Sequence, residues 1–305
     1  MTAVHTTTQG PSTQAGLVVA TMRRRYDVEC ADGTIVPCVL KGRSLQLVVG
    51  DHVTVEQDGS GAAIVAMAPR RNLIYRSDAF KAKLLAADVT QIAGVVAPDV
   101  ALDTELIHRW MIAAEAAQCR FVVLANKSDL PTYHLLQSRL ASVGALGYPI
   151  VAFSARDDVA PALSWLRDQH TILVGQSGMG KSTLVNALLP AVSARTAEVS
   201  TSLNTGRHTT TSTTLYRLPA LGSDAWIVDS PGMKAFALAH LDAQTLADTF
   251  VEIRPLLGHC RFRDCRHGVE PGCAITAAVA SGAVAPHRLA LLHRLTAEAG
   301  GFSRR

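Results

Sequence analysis

Residues Gly175 to Asn186 read GQSGMGKSTLVN, and this stretch decides the central fold. Gly175, four intervening residues, then Gly180, Lys181 and Ser182 follow the apolar run Thr171 to Val174 and precede the helix-forming Thr183 to Leu189. Strand, glycine loop and helix in that order make a phosphate cradle. The glycines let successive backbone N–H groups converge on phosphate oxygens. The run Gly175, Gln176, Ser177, Gly178, Met179, Gly180, Lys181, Ser182 and Thr183 is therefore expected to wrap a nucleotide's phosphates. Lys181 supplies a point charge at the β and γ phosphates, and Ser182 offers a hydroxyl to Mg²⁺. The helix N-terminus adds a favourable dipole. Such a cradle does not choose a base.

The base is read by a stretch that comes earlier. Asn126-Lys127-Ser128-Asp129 ends the apolar run VVLAN. A carboxylate at Asp129 accepts from both N1–H and the exocyclic amine of guanine, whereas adenine offers no such donor pair. Asn126 is suited to tie loops together, and the aliphatic stem of Lys127 to lie along the base. Ser154-Ala155, after IVAF, is placed to present a backbone N–H to the guanine oxygen. After the phosphate loop comes Asp229-Ser230-Pro231-Gly232, ending AWIVD. There Asp229 is expected to hold Mg²⁺ through a water, and Gly232 to sense the γ-phosphate. In the polar loop Arg207-His208-Thr209-Thr210-Thr211, Thr210 is expected to ligate Mg²⁺ when a triphosphate is bound. Base motif before phosphate loop reverses the ordinary GTPase order. The set is complete but cut elsewhere, which is a circular permutation, workable where the old termini lie close together.

Outward from this core, strands alternate with helices from VTQIAGVVAP to AWIVD, so residues 69–238 read as an α/β domain with a mostly parallel sheet. Ligands bind beyond the carboxyl ends of such strands, where every motif above lies. Before it, residues 16–68 give about five short β-rich runs broken by glycine turns. They predict a small all-β barrel such as an OB-fold, although the loose period does not separate it from other small barrels. Residues 1–15 read as a disordered polar tail. Residues 239–305 read as a small helical domain around one Cys-rich turn.

In that turn, Cys260-x4-Cys265-x-His267-x5-Cys273 offers three thiolates and an imidazole, a closed tetrahedral zinc set without a vacant position. The expected role is structural, with His259 as a competing ligand. The chain's 305 residues allow two or three domains. Its net charge of +4 is too small to name a partner, but the basic residues cluster. Arg23–Arg25, then Arg70, Arg71, Arg76, Lys81 and Lys83, then Arg254, Arg261, Arg263 and Arg266 suit a polyanion. No apolar run is long enough to span a bilayer, and the first residues lack a signal peptide's features. A cytoplasmic protein without a membrane partner is expected, acting as a monomer.

Taken together, NKSD, SA, GQSGMGKS, RHTTT, DSPG and CRFRDCRHGVEPGC, in that order after a barrel, resemble the circularly permuted GTPases of bacterial small-subunit ribosome biogenesis. The resemblance covers nearly the whole chain beyond the first fifteen residues. It implies a GTPase that binds the immature small ribosomal subunit and its 16S rRNA through the barrel and the zinc domain, acts late in maturation, and is stimulated by the subunit. It also implies His240, before Leu241, as the catalytic histidine, since Met233 stands where ordinary small GTPases carry a water-positioning glutamine. His208 ranks behind it. The alternative is a GTP-regulated RNA- or protein-binding factor with little turnover of its own. Two departures stand out. Asp88 replaces the family's frequent asparagine, which would soften a domain contact. Gly178 is not the asparagine associated with potassium-stimulated GTPases.

Overall fold

A computed structural model describes residues 12–22, 25–42, 45–58, 61–77, 82–189, 213–229 and 236–302. The first five strands are β1 (Ser12–Met22), β2 (Arg25–Cys30), β3 (Ile35–Leu40), β4 (His52–Asp58) and β5 (Gly61–Met67). Their order β1-β2-β3-β5-β4, with β4 returning to β1 and a parallel β3–β5 pair, closes an OB-like barrel. The strand order and the parallel β3–β5 pair, not closure alone, mark the barrel as OB-like. Val18, Val28, Cys38, Val53, Val55 and Ile64 alternate inward and fill it. β1 can turn from β4 to β2 because Gly16 leaves room: a Cβ there would lie 2.4 Å from Val28 Cγ1. The strand starts at Ser12, inside the stretch expected to be tail, and pairs with β4 from that residue on.

A hairpin of β6 (Leu73–Ser77) and β7 (Ala82–Ala87) follows. Sequence pattern did not reveal it, because AKLLAA is built from helix-favouring residues without alternation. It joins the main sheet through Asp88, whose φ of 54° is a left-handed conformation that Asp and Asn tolerate. Asp88 Oδ1 accepts from Arg71 N at 2.6 Å. The carboxylate therefore serves this contact.

The sheet proper comprises β8 (Gln91–Val96), β9 (Arg120–Ala125), β10 (Ile150–Ala152), β11 (His170–Val174), β12 (Thr213–Arg217) and β13 (Trp226–Asp229), in the order β10-β9-β8-β11-β13-β12. All neighbours are parallel except β12–β13. Helices α1 (Thr104–Ala116), α2 (Tyr133–Ala145), α3 (Ala160–Leu166) and α4 (Lys181–Leu188) cover it. β8 and β11 are buried throughout, as covering on both faces requires. β12 also pairs with β1, which makes barrel and sheet continuous.

Helices α5 (Ala243–Asp248), α6 (Ala274–Ala280) and α7 (Pro286–Phe302) complete the chain. Leu246, Phe250, Ile253, Ile275 and Leu291 belong to the same apolar core as the central sheet. Apolar packing thus runs across the boundary expected near residue 238. Two arginines counted toward a polyanion surface are engaged within the chain, Arg70 as a largely covered strut and Arg254 in an exposed ion pair. Arg70 grips the fully buried Asp51 with two nitrogens, at 2.6 and 2.8 Å, and Arg254 pairs with Glu115. Among the described residues no helix is long and apolar enough to cross a membrane.

Candidate nucleotide site and metal centre

The loops after β8, β9, β10 and β11 meet the carboxyl end of β13 at one edge of the sheet. The loop after β11 is held by its glycines. At Gly175 (φ 152°) a Cβ would lie 2.4 Å from Val95 O, and at Gly180 (φ 91°) 2.2 Å from Asn126 Nδ2. No side chain fits at either position. Gly180 ends the loop in a left-handed turn, and α4 starts at Lys181. The Lys181 ammonium donates to the carbonyls of Gly175 and Gln176. Burial lowers its pKa, opposed by Asp229, while burial raises that of Asp229, opposed by Lys181.

Asn126, 2% exposed, joins three loops. Its Oδ1 accepts from Lys127 N at 2.8 Å and Ala155 N at 2.9 Å, and its Nδ2 donates to Met179 O at 3.0 Å. Lys127 Nζ reaches Gly178 O at 3.0 Å and both carboxylate oxygens of Asp99. Ser154 Oγ pairs with Asp157, which closes the Ser-Ala turn.

These loops line one cavity of about 780 Å³, well suited to a nucleotide. On its base side lie Asn126, Lys127, Asp129, Ser154 and Ala155. On its phosphate side lie Gly175, Gln176, Ser177, Gly178 and Gly180, followed by Lys181, Ser182, Thr183 and Asp229. Met179 is the exception: its side chain is fully buried and accepts from Ala97 N, so only its backbone belongs to the loop. Thr210 and Gly232 lie outside the described residues, as do His208 and Met233. Asp99 and Arg156 also line the cavity, and sequence reasoning missed both. Arg156 directly follows the Ser-Ala pair, a signal that was there to use. Asp99 carries no motif.

The structure does not bring His240 to this cavity. Its ring packs tilted against Tyr75, with centroids 4.2 Å apart, in a separate small pocket between β6, the end of α1 and residues 236–241. Ala237 N donates to Tyr75 O at 3.1 Å, and Phe236 and Leu238 are buried, which pins the segment to the hairpin. His240 remains partly open to solvent, and desolvation in the pocket lowers the pKa of its imidazole, against a hydrogen bond at Ala237.

At the other end of the chain, Cys260, Cys265, His267 and Cys273 bring their ligand atoms within 4.8 Å of one another. Cys260 and Cys273 sulfurs are 3.8 Å apart, and each lies 3.5–3.6 Å from His267 Nδ1. A tetrahedron with ordinary zinc bond lengths has edges of roughly 3.8 Å between sulfurs and roughly 3.6 Å from sulfur to nitrogen. The donor set fits. His259 is not part of it. Burial disfavours the Cys273 thiolate, but hydrogen bonds from Thr276 and His267 outweigh this and bring its pKa to about 6. The imidazole is aimed by a left-handed backbone at His267 (φ 62°), and Glu270 ties the Arg266 and Gly268 amides around it.

Base loop, Ser-Ala loop, phosphate loop and Asp229, in that chain order on one parallel sheet, define a circularly permuted P-loop GTPase fold. The family described as RsgA GTPase matches residues 67–239, and the chain belongs to that family. It is 42% identical over 290 residues to the small ribosomal subunit biogenesis GTPase RsgA of Nitrosomonas europaea, covering 92% of this chain and 90% of that protein. It is 44% identical over 306 residues to the protein of the same name from Burkholderia pseudomallei strain K96243, covering 97% and 96%. Among solved structures, YjeQ from Thermotoga maritima superposes with a TM-score of 0.72 at 27% identity, over 95% of this chain and 99% of that one. The structure of YloQ, a circularly permuted GTPase, shares the fold, with a TM-score of 0.69 at 22% identity over 99% of each chain.

Proposed function

We propose that this protein hydrolyses GTP to GDP and phosphate, that the small ribosomal subunit stimulates the reaction, and that it acts late in that subunit's maturation. The observation that carries the reading is the single cavity in which the base loop, the Ser-Ala loop and the phosphate loop are locked together through Asn126. The names of the relatives supply the ribosomal context. On this reading Asp129 selects guanine, the loop amides and Lys181 hold the phosphates, and Ser182 and Asp229 would hold Mg²⁺, with Thr210 and Gly232 completing the site around a triphosphate. An Mg²⁺ ion held there would neutralise charge on the phosphates.

His240 is parked on Tyr75 and reaches the γ-phosphate only after residues 236–241 leave the hairpin. The free protein is therefore slow, and subunit binding supplies the rearrangement. The domain division follows the same reading: barrel 16–68 and zinc segment 239–305 contact the subunit, and 69–238 carries the nucleotide. In the metal loop Arg261, Arg263 and Arg266 are exposed and form no ion pair with any described residue, as phosphate contacts require. Zinc held by Cys260, Cys265, His267 and Cys273 would fix that loop.

The test is GTP turnover at low enzyme concentration, alone, with purified small subunits and with large subunits. Stimulation by small subunits alone, lost in His240→Ala, is the expected outcome. Turnover unaffected by small subunits would refute the partner assignment. Bound guanine nucleotide with no turnover under any condition would favour the binding-factor alternative, which the parked histidine also supports.

A further inference from the structure

Three carboxylates line the nucleotide cavity: Asp99, Asp129 and Asp229. The reading above gives Asp129 the base and Asp229 the magnesium. Asp99 has no part in it, and its position is informative. The Lys127 ammonium lies between the Asp99 carboxylate, at 2.6 and 2.8 Å, and the Gly178 carbonyl, at 3.0 Å. That ammonium marks the seam where the base loop meets the phosphate loop. The part of a nucleotide that crosses such a seam is the sugar.

Asp99 is firmly supported there. Ala97 N donates to the buried Met179 sulfur at 3.0 Å. Val100 Cγ2 lies 3.2 Å from where a Cβ on Gly178 would stand. The loop carrying Asp99 thus packs directly on the phosphate loop. Its side chain is 44% exposed, toward a cavity and not into the core. A carboxylate has about four acceptor sites, and Lys127 uses two. The remaining capacity suits hydroxyl donors. Lys127 also offsets a negative charge that would otherwise face a phosphorylated ligand.

We propose that Asp99 accepts a hydrogen bond from the ribose hydroxyl edge of the bound guanine nucleotide, and so selects ribonucleotides over their deoxy forms. The inference rests on the guanine-nucleotide reading of the cavity. It assigns one carboxylate to each part of the ligand.

The experiment is calorimetric titration of the full chain with GDP and with 2′,3′-dideoxy-GDP. Ribose-linked fluorophores are avoided, because they occupy the edge under test. The unaltered protein should prefer GDP by about 10-fold or more, as loss of a hydrogen bond to a charged group implies. In Asp99→Ala the two affinities should converge to within about 2-fold, with guanine still preferred over adenine. A ratio near one in the unaltered protein overturns the proposal without any variant. So does an Asp99→Ala protein that weakens both ligands equally and keeps the ratio, since Asp99 would then act only by holding Lys127. If the unaltered protein binds neither ligand, the guanine-nucleotide reading itself has failed, a result distinct from either of these.

Discussion

Asn126 is the test of whether this site works as one unit. Its side chain satisfies the buried Ala155 N–H, the Met179 carbonyl and the Lys127 N–H. In Asn126→Ala, Ala155 N–H and Met179 C=O are left unpaired in positions 9% and 0% exposed. Each such group costs about 1–3 kcal/mol, so the folded protein should lose about 2–6 kcal/mol. Nucleotide binding requires the three loops in register. A 2 kcal/mol share of that loss in binding lowers GDP affinity about 30-fold. Asn126→Asp sharpens the argument. The introduced carboxylate is nearly isosteric and keeps the acceptor toward Ala155, but it turns a second oxygen on Met179 O, where the donor now sits at 3.0 Å. Shape conservation predicts a mild effect. Hydrogen-bond accounting predicts one at least as severe as alanine. Thermal unfolding and calorimetric GDP titration of both variants decide between them. An Asn126→Asp protein binding GDP within about 3-fold of the unaltered chain would refute the reasoning.

Asp129→Asn should move nucleotide preference from guanine toward xanthine, because an amide pairs with N1–H and a carbonyl at position 2; competition binding with both bases checks this. One tightly held zinc per chain is expected by elemental analysis, and Cys265→Ala should lose it together with measurable stability; less than about 0.2 equivalents in the unaltered protein contradicts the assignment. His108 gives a pH signature. It is 4% exposed, and burial first, then Arg288 and the stacked His287, lower its pKa to about 4, against a weaker opposing effect of Glu252. The neutral ring is the folded form, so stability is full above its unfolded pKa near 6.5 and falls as pH drops toward 4. Urea unfolding at pH 7 and 4.5 should differ by about 2 kcal/mol from this group, and His108→Phe should flatten that difference.

The elements legible in the sequence are those whose physics is local. A phosphate loop needs glycine at Gly175 and Gly180 because Val95 and Asn126 stand where a Cβ would go, and that requirement is written into the residue types. Barrel strands broken by glycine turns, and the Cys/His spacing, are legible for the same reason. What escaped depends on tertiary context. The β6–β7 hairpin has helix-like composition, and pairing and packing alone make it a sheet. Arg70 looks like surface charge until Asp51 is found buried beneath it. His240 stands directly before Leu241, where the resemblance puts it, yet which pocket it enters depends on Tyr75, far away in the chain. Asp99 lies in an unremarkable loop and gains meaning only beside Lys127.

A structural zinc can staple a domain too small for a core of its own. The packing changes that argument. Phe250, Ile253 and Leu291 share the core of the central sheet, α7 is tied to α1 through Arg109–Glu298 and Arg294–Glu105, and the buried Arg288 joins Glu252 while lying over Phe250. The helices are therefore held by the nucleotide-binding domain whether or not metal is bound. What the metal alone can fix is the loop from Cys260 to Cys273, whose exposed arginines and Phe262 have little else beneath them. Removing the metal should loosen that loop and its contacts while the cavity at Lys181 keeps its shape. The permuted order adds the other half of the coupling. Chain leaving Asp229 passes through Phe236–Leu241, against the hairpin, directly into α5. On the proposed reading, a change at the γ-phosphate would reach the C-terminal helices through the thirteen residues 230–242, which carry His240. In an unpermuted chain that path would lead back into the sheet.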